Sequence, residues 1–388
     1  MRWLVVIASL LLPAPLRAES RGTGDLGIVV ERADGAVQIV ETSSMTTLAR
    51  VDGLGDLSHA AAVFSRDGRY AFVFGRDGGL SKIDLLDQRV ADRIVQAGNS
   101  IGGAISSDGR LVAVANYEPG GVKVFDTATL GLVVDIRSTE IGEGKRAKVV
   151  GLEDTGGDRF AFSLYDTGDI WTVDLADPAV PVIQRFFDVG DQPYDALVMP
   201  DGHYYLAGLF GEDGIVLLDL WDPKARPRRI LDGYGRGEEP LPVYKMPHLE
   251  GWAAAGDQVV LPAVGRYEVL IVDRRSWEET ARIAVHGQPV FAVARPDGRQ
   301  VWVNFAHPDN GVVQVIDLVT REIVETLEPG AAVLHMEFTP RGEQVWVSAR
   351  DSNEVVVYDT ETFEVLARLP ARSPSGIFFT ARANRIGY

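Results

Sequence analysis

Seven times along the chain a β-rich run ends on an aspartate: at Asp84, Asp126, Asp174, Asp219, Asp273, Asp317 and Asp359. Subtraction gives intervals of 42, 48, 45, 54, 44 and 42 residues. A hairpin turn precedes each aspartate: Asp67-Gly68, Asp108-Gly109, Gly157-Asp158, Asp201-Gly202, Gly256-Asp257, Asp297-Gly298 and Arg341-Gly342. Glycine accepts a positive φ in such turns at no steric cost. A further strand follows each aspartate, such as Leu130 to Ile136. Four strands at a period in the forties is the pattern of a β-propeller blade. No extended stretch carries a helical period. A β-sandwich would not explain seven evenly spaced repeats.

The repeats leave Gly24 to Val51 at the front and Ser373 to Tyr388 at the back. The front piece reads as three strands, Leu26 to Glu31, Ala36 to Glu41 and Thr46 to Val51. The back piece supplies one, Gly376 to Thr380. Three plus one makes an eighth blade. The prediction is an all-β chain: a single eight-bladed β-propeller over residues 19–388, closed by strands from both termini. Closure leaves no sheet edge around the ring. The longest interval contains Asp232 to Met246, rich in Gly, Pro and Glu, which reads as a loop over one face.

The formal net charge is −17. A phosphate backbone needs a basic surface, so nucleic acid is not the expected partner. The chain has no cysteine, which excludes disulfides, thiolate metal sites, a Cys-x-x-Cys-His heme attachment and a lipid anchor on cysteine. Residues 1–18 read as a secretory signal peptide: Arg2, then the apolar run Leu4 to Leu12, then Pro13, Pro15 and a small residue at Ala18. Cleavage there places the mature protein in the periplasm. No later stretch is apolar for long enough to span a membrane, so no membrane anchor is expected.

In a propeller the links into the innermost strands and the loops between second and third strands share one face. Side chains there converge on the axis, and that mouth is the default binding site. His59 starts the inner strand of blade 1 and His248 that of blade 5, half a turn away. A lone histidine at a strand start is usually a loop residue; two facing each other across an axis point to a ligand. His335 is expected near the same level. His286 and His307 belong to blade 6, and His203 follows a turn on the opposite face. The mouth loops add Arg76, Tyr117, Tyr165, Arg266 and Arg350. Such a ring suits a large, flat, anionic ligand: imidazole ligates a metal or moves a proton, guanidinium pairs with carboxylate, and aromatics supply apolar walls. Arg76 could instead pair with its neighbour Asp77. The strand-end aspartates read as turn-fixing residues, and Trp302 and Trp346, at equivalent strand positions, as core. Gly233 to Gly237 lacks the strand and helix that a dinucleotide loop requires.

The run Gly68 to Asp84, with His59 upstream, resembles the heme d1-binding propeller of cytochrome cd1 nitrite reductase. The resemblance extends to Pro247 to Trp252, Gly265-Arg266 and Ile271 to Asp273. It implies that His59 is the heme iron ligand and that His248 is a distal-side histidine acting as acid and base. Arg76, Tyr117 and Arg266 would bind the cofactor, with the two arginines on its carboxylates. The chain has no cytochrome c domain, and Gln288-Pro289 stands where a second distal histidine is expected, so nitrite reduction is not implied. A propeller of this kind after a signal peptide is similar to the heme d1 biosynthesis proteins. That implies heme d1, or its iron-containing precursor, as ligand or substrate, with no dedicated protein metal site. Two roles stay open. One is an oxidoreductase, such as a dehydrogenase acting on a heme d1 precursor. The other is a non-catalytic carrier that delivers the cofactor. Implied partners are cytochrome cd1 nitrite reductase and a NirN-like propeller protein; a homodimer is left open.

Overall fold

Each repeat folds as a four-stranded antiparallel sheet, and eight such sheets are present in the computed structural model, which describes residues 22–222, 224–234 and 251–387. The inner strands are Ala61–Phe64, Asn99–Ile105, Val149–Asp154, Pro193–Val198, Ala253–Ala255, Pro289–Ala294, Val333–Phe338 and Pro374–Phe379. Taken in that order they define blades 1 to 8. Inner strands touch from blade 1 to blade 4 and from blade 5 to blade 8, and the last meets the first.

Local chemistry sets the meander. In blade 1, Gly68 takes φ +65° and donates its N–H to Ser65 O at 2.7 Å, while Asp67 Oδ1 accepts from Arg69 N at 3.0 Å. The strand-end aspartates cap the next turn from their side chains. Asp317 Oδ1 accepts the backbone N–H of Val319 and of Thr320, each at 2.8 Å, and Asp359 does the same for Glu361 and Thr362. These carboxylates are structural. Between blades the apolar faces pack sheet on sheet. Trp302 fills the space between blades 6 and 7 and Trp346 that between blades 7 and 8, both at 0 % exposure.

Blade 8 closes the ring as predicted. Its sheet runs Thr46–Val51, Ala36–Glu41, Leu26–Glu31, Pro374–Phe379, with Gly27 opposite Phe379 and Ile28 opposite Phe378. Glu31 Oε1 accepts the backbone N–H of Arg372, 341 residues away, at 2.8 Å.

Two features exceed the predicted repeat. The link between blades 2 and 3 carries a small hairpin, Glu140–Gly142 with Lys145–Arg146, which accounts for the 48-residue interval. And the chain does not stop at the last inner strand. A short 3-10 turn, Thr380–Asn384, leads a tail across the lower end of the channel, opposite the mouth. Arg66 in blade 1 hydrogen-bonds Ala383 O, and Ile386 packs on the cluster containing Val198 and Leu209. Most of the predicted Asp232 to Met246 loop, His248 and the signal peptide lie outside the described residues. Among the described residues no helix is long and apolar enough to cross a membrane.

Candidate functional site at the propeller mouth

Four of the mouth residues come from three consecutive blades. His59 lies in the link from blade 8 into blade 1, Arg76 between the second and third strands of blade 1, and Arg350 in the equivalent loop of blade 7. The fourth, Arg32, occupies that loop in blade 8 and was not singled out from the sequence. The same placement rule, applied to the blade shared by the termini, would have found it. Their charges are mutually felt. Burial, then Arg76 and Arg32, push the His59 imidazole down to about 4, against a weaker pull upward from Asp56. Burial and the charge of Arg350 lower Arg32 in turn. His59 is therefore neutral, and neutral imidazole is the form that binds a metal.

Arg76 does not pair with Asp77. The Asp77 carboxylate is taken by Arg93 at 2.7 Å and by the N–H of Gly79 at 3.0 Å. Among the described residues the Arg76 and Arg32 side chains make no hydrogen bond or ion pair, whereas Arg350 is held bidentately by Asp351 at 2.6 and 2.9 Å. Two guanidiniums that no carboxylate holds in a hydrogen bond or ion pair, with Asp56 acting on them only through its charge, form with the neutral histidine an anion-receptive arc on an acidic molecule.

The next three blades supply an aromatic arc. Tyr117 Oη lies 3.0 Å from Tyr194 Oη; Tyr194 meets Tyr165 edge-on at 5.5 Å between ring centroids and Phe210 at 5.6 Å. Burial and then the Tyr194 phenol raise the Tyr117 pKa, and the charge of Arg76 reaches it as well, which ties the two arcs together. Tyr194 and Phe210 were missed in the sequence, although each sits at a mouth position of blade 4. A strand-start tyrosine among many carries no signal until its neighbours are known.

The remaining predicted residues are placed differently. Arg266, in the single turn Val264–Arg266 of blade 5, lies on the mouth side but is engaged by Asp213 at 3.3 Å. His286 approaches Asp309 at 3.8 Å in blade 6. His203 is on the lower face, stacked between Tyr204 and Trp221 and 3.2 Å from Asp219. His335 departs from expectation: it is 1 % exposed, inside the channel rather than at the mouth. Its Nδ1 accepts the N–H of Ile377 at 3.1 Å, and burial, then Arg382, push it to about 3. It lines a lower cavity of about 440 Å³ together with Trp252, Phe338, Glu337 and Arg382. Glu337 and Arg382 form a buried ion pair at 2.5 Å.

Comparison with known proteins agrees with this fold. The family model of the cytochrome D1 heme domain matches residues 21–383. The chain is 60% identical to protein NirF of Stutzerimonas stutzeri, over 99% of each chain, and 59% identical to protein NirF of Pseudomonas aeruginosa, over 98% of each. It is 30% identical to the dihydro-heme d1 dehydrogenase of Pseudomonas aeruginosa, over 94% of this chain and 72% of that one. A solved structure of the dihydro-heme d1 dehydrogenase NirN in complex with DHE superposes with a TM-score of 0.81 at 26% identity, covering 96% of this chain and 78% of the other. A propeller whose closed ring brings a neutral histidine, two arginines without an ion pair and a tyrosine wall to one mouth, and whose sequence matches the two NirF proteins from end to end, belongs to the cytochrome D1 heme domain family and, within it, to the NirF proteins.

Proposed function

We propose that this protein holds heme d1 or a late, iron-containing precursor at the propeller mouth and promotes a late oxidoreductive or side-chain step on it. The observation that carries the reading is His59, kept neutral beside two guanidiniums that no carboxylate among the described residues holds in a hydrogen bond or ion pair. The residues fit the group: an imidazole for iron, Arg32 and Arg76 for carboxylates, and Tyr117, Tyr165 and Tyr194 for the apolar edge of the macrocycle. When bound, the tetrapyrrole supplies the redox-active iron and ring. The chain's own residues orient it. His59 would hold the iron, Arg32 and Arg76 would hold the carboxylates, and the tyrosines would exclude water from one side. His248 is assigned the acid–base role by resemblance. A net oxidation of the precursor would deliver its electrons to an external acceptor.

The second reading is a non-catalytic carrier that delivers the cofactor to cytochrome cd1 nitrite reductase. It is favoured by the makeup of the described mouth, whose groups are all suited to holding a ligand. Both readings place the protein in the periplasm after removal of residues 1–18; mass analysis of the periplasmic form should give an N-terminus at Glu19.

One experiment separates the roles. Purified protein is incubated with the late precursor and an oxidant, and the pigment is extracted and analysed by absorbance and mass. A changed pigment identifies an enzyme. Unchanged pigment that is bound and then passed to the apo nitrite reductase identifies a carrier. No spectral change on adding heme d1 or precursor refutes both.

A further inference from the structure

The hairpin between blades 2 and 3 belongs to no blade, yet the link that bears it opens on the mouth face. Its base is fixed. Ser138 Oγ donates to Ala147 O at 2.7 Å, Ala147 N donates to Thr139 O at 2.8 Å, and both Ser138 and Ala147 are buried. The base also sits against the loop that follows Tyr117. A Cβ at Gly120 would stand 2.9 Å from Arg146 Cβ and 2.7 Å from Ala147 O. The hairpin is thus tied to the strand that carries one member of the aromatic arc.

Its tip is built differently. Residues 140–145 are all exposed, and only two residue pairs join the strands, with a register shift between them. Gly142 and Gly144 take φ +103° and +72°, and a Cβ at either would meet nothing within 4 Å. A two-stranded hairpin by itself is marginal in water. Between these features stands Ile141, 44 % exposed, between Glu140 and Gly142. A lone exposed isoleucine is ordinary on any surface. This one sits at the exposed end of a glycine-jointed arm rooted beside the site.

We propose that Ile141 is a ligand-contacting residue, which the hairpin lays against the apolar part of the tetrapyrrole at the mouth; this rests on the reading that the mouth holds a tetrapyrrole. The charges give the contact a direction. Glu140 and Glu143 are matched by Lys145 and Arg146 on the same hairpin, so the arm adds no net charge, while Arg32 and Arg76 on blades 8 and 1 attract carboxylates. The carboxylate-bearing edge of the ring therefore turns toward the guanidiniums, and the edge without carboxylates turns toward Ile141. The arm selects one orientation of an unsymmetrical macrocycle.

The test uses the full chain, heme d1 as probe, and the variants Ile141→Ser and Ile141→Leu. Binding and release are followed by absorbance, and hydrogen exchange is measured over residues 140–146 with and without heme d1. Ile141→Ser should speed release by about tenfold, which is what partly burying an isoleucine supplies. Ile141→Leu should stay within about twofold of wild type, since volume-conserving swaps are tolerated. The hairpin amides should exchange more slowly in the complex. Wild-type release from Ile141→Ser, or hairpin exchange that ignores the ligand, overturns the inference while leaving tetrapyrrole binding standing. If the wild-type protein gives no spectral change with heme d1, the reading of the mouth fails and this inference with it.

Discussion

Burial and the nearby charges of Arg76 and Arg32 hold His59 near pKa 4 instead of its ordinary 6.5. An ordinary histidine would lose the neutral form tenfold for each pH unit below its pKa, so iron ligation through it would fade from pH 6 downward. With the depressed value, the spectral shift on adding heme d1 should be constant from pH 8 to about pH 5 and fall only toward pH 4. A loss centred near pH 6.5 would show that His59 is not the group being titrated. The same depression carries a sign for stability. The folded state disfavours the proton, so the contribution of His59 is complete above pH 6.5 and drains away as pH falls from 6.5 toward 4. Asp154 acts in the opposite sense. Burial raises it from 3.8 to about 6, so its contribution is complete below 3.8 and declines as pH rises from there to 6. His59→Ala should abolish the heme d1 spectrum and cost no more than about 1 kcal/mol of stability, because the residue is half-buried in a loop. Arg76→Ala and Arg32→Ala should each weaken heme d1 about tenfold or more by removing a charge-assisted contact, with melting temperatures near wild type. A large fall in melting temperature at unchanged affinity would make Arg76 a structural residue.

At the scale of the blade, the strand-end aspartate and the buried tryptophan do separate work. Asp317 Oδ1 satisfies two backbone donors in a turn, and Asp317→Ala should cost about 1–2 kcal/mol while leaving heme d1 affinity unchanged. Trp346 is wholly enclosed between two sheets, in edge contact with Phe379 at 5.5 Å between centroids. Trp346→Ala should cost about 3–5 kcal/mol, the usual range for emptying an aromatic site in a close-packed core. Urea unfolding followed by circular dichroism measures both. Because Phe379 belongs to the closing strand, the Trp346 variant should also loosen the junction of blades 7 and 8, visible as faster hydrogen exchange in Pro374–Phe379. Equal costs for the two substitutions would contradict this division of roles.

The whole molecule is a ring held shut at one seam and floored at one end. The seam is the pairing of Leu26–Glu31 with Pro374–Phe379. The floor is the tail beyond Phe379, tied by Arg66 to Ala383, by Thr380 Oγ1 to Thr23 O at 2.6 Å, and by Arg382 to Glu337. Truncation after Phe379 should leave the ring closed but strand the buried Glu337 carboxylate without its partner, at a cost of about 3–5 kcal/mol. Truncation after Ser373 removes the inner strand of blade 8 and exposes a sheet edge, so that chain should aggregate instead of unfolding reversibly. Light scattering during thermal unfolding distinguishes the two. If ligand is held at the mouth as proposed, the tail at the lower end is not needed for its entry, and truncation after Phe379 should leave heme d1 affinity within about twofold of wild type.

The sequence by itself determined the architecture. Repeated turns, strand-end aspartates and the leftover terminal strands are local and periodic, so their spacing alone dictates blade number, strand order and the blade shared by the termini. It also placed His59, Arg76, Tyr117 and Arg350 on one face, because connection order in a meander fixes which loops lie together. Charge state and partnership were decided only in three dimensions. Nothing in the neighbourhood of Arg32 in the chain foretells that it depresses His59, since the two meet through the closure of blade 8. Arg266 looked equivalent to Arg76, yet Asp213 from the preceding blade engages it. His335 shared its position in the repeat with mouth residues, yet the ring buries it and the last strand claims its Nδ1. The tail carries no repeat and so no signal, and it lies across the floor because the pairs it makes with Arg66 and Glu337 exist only once the ring has closed.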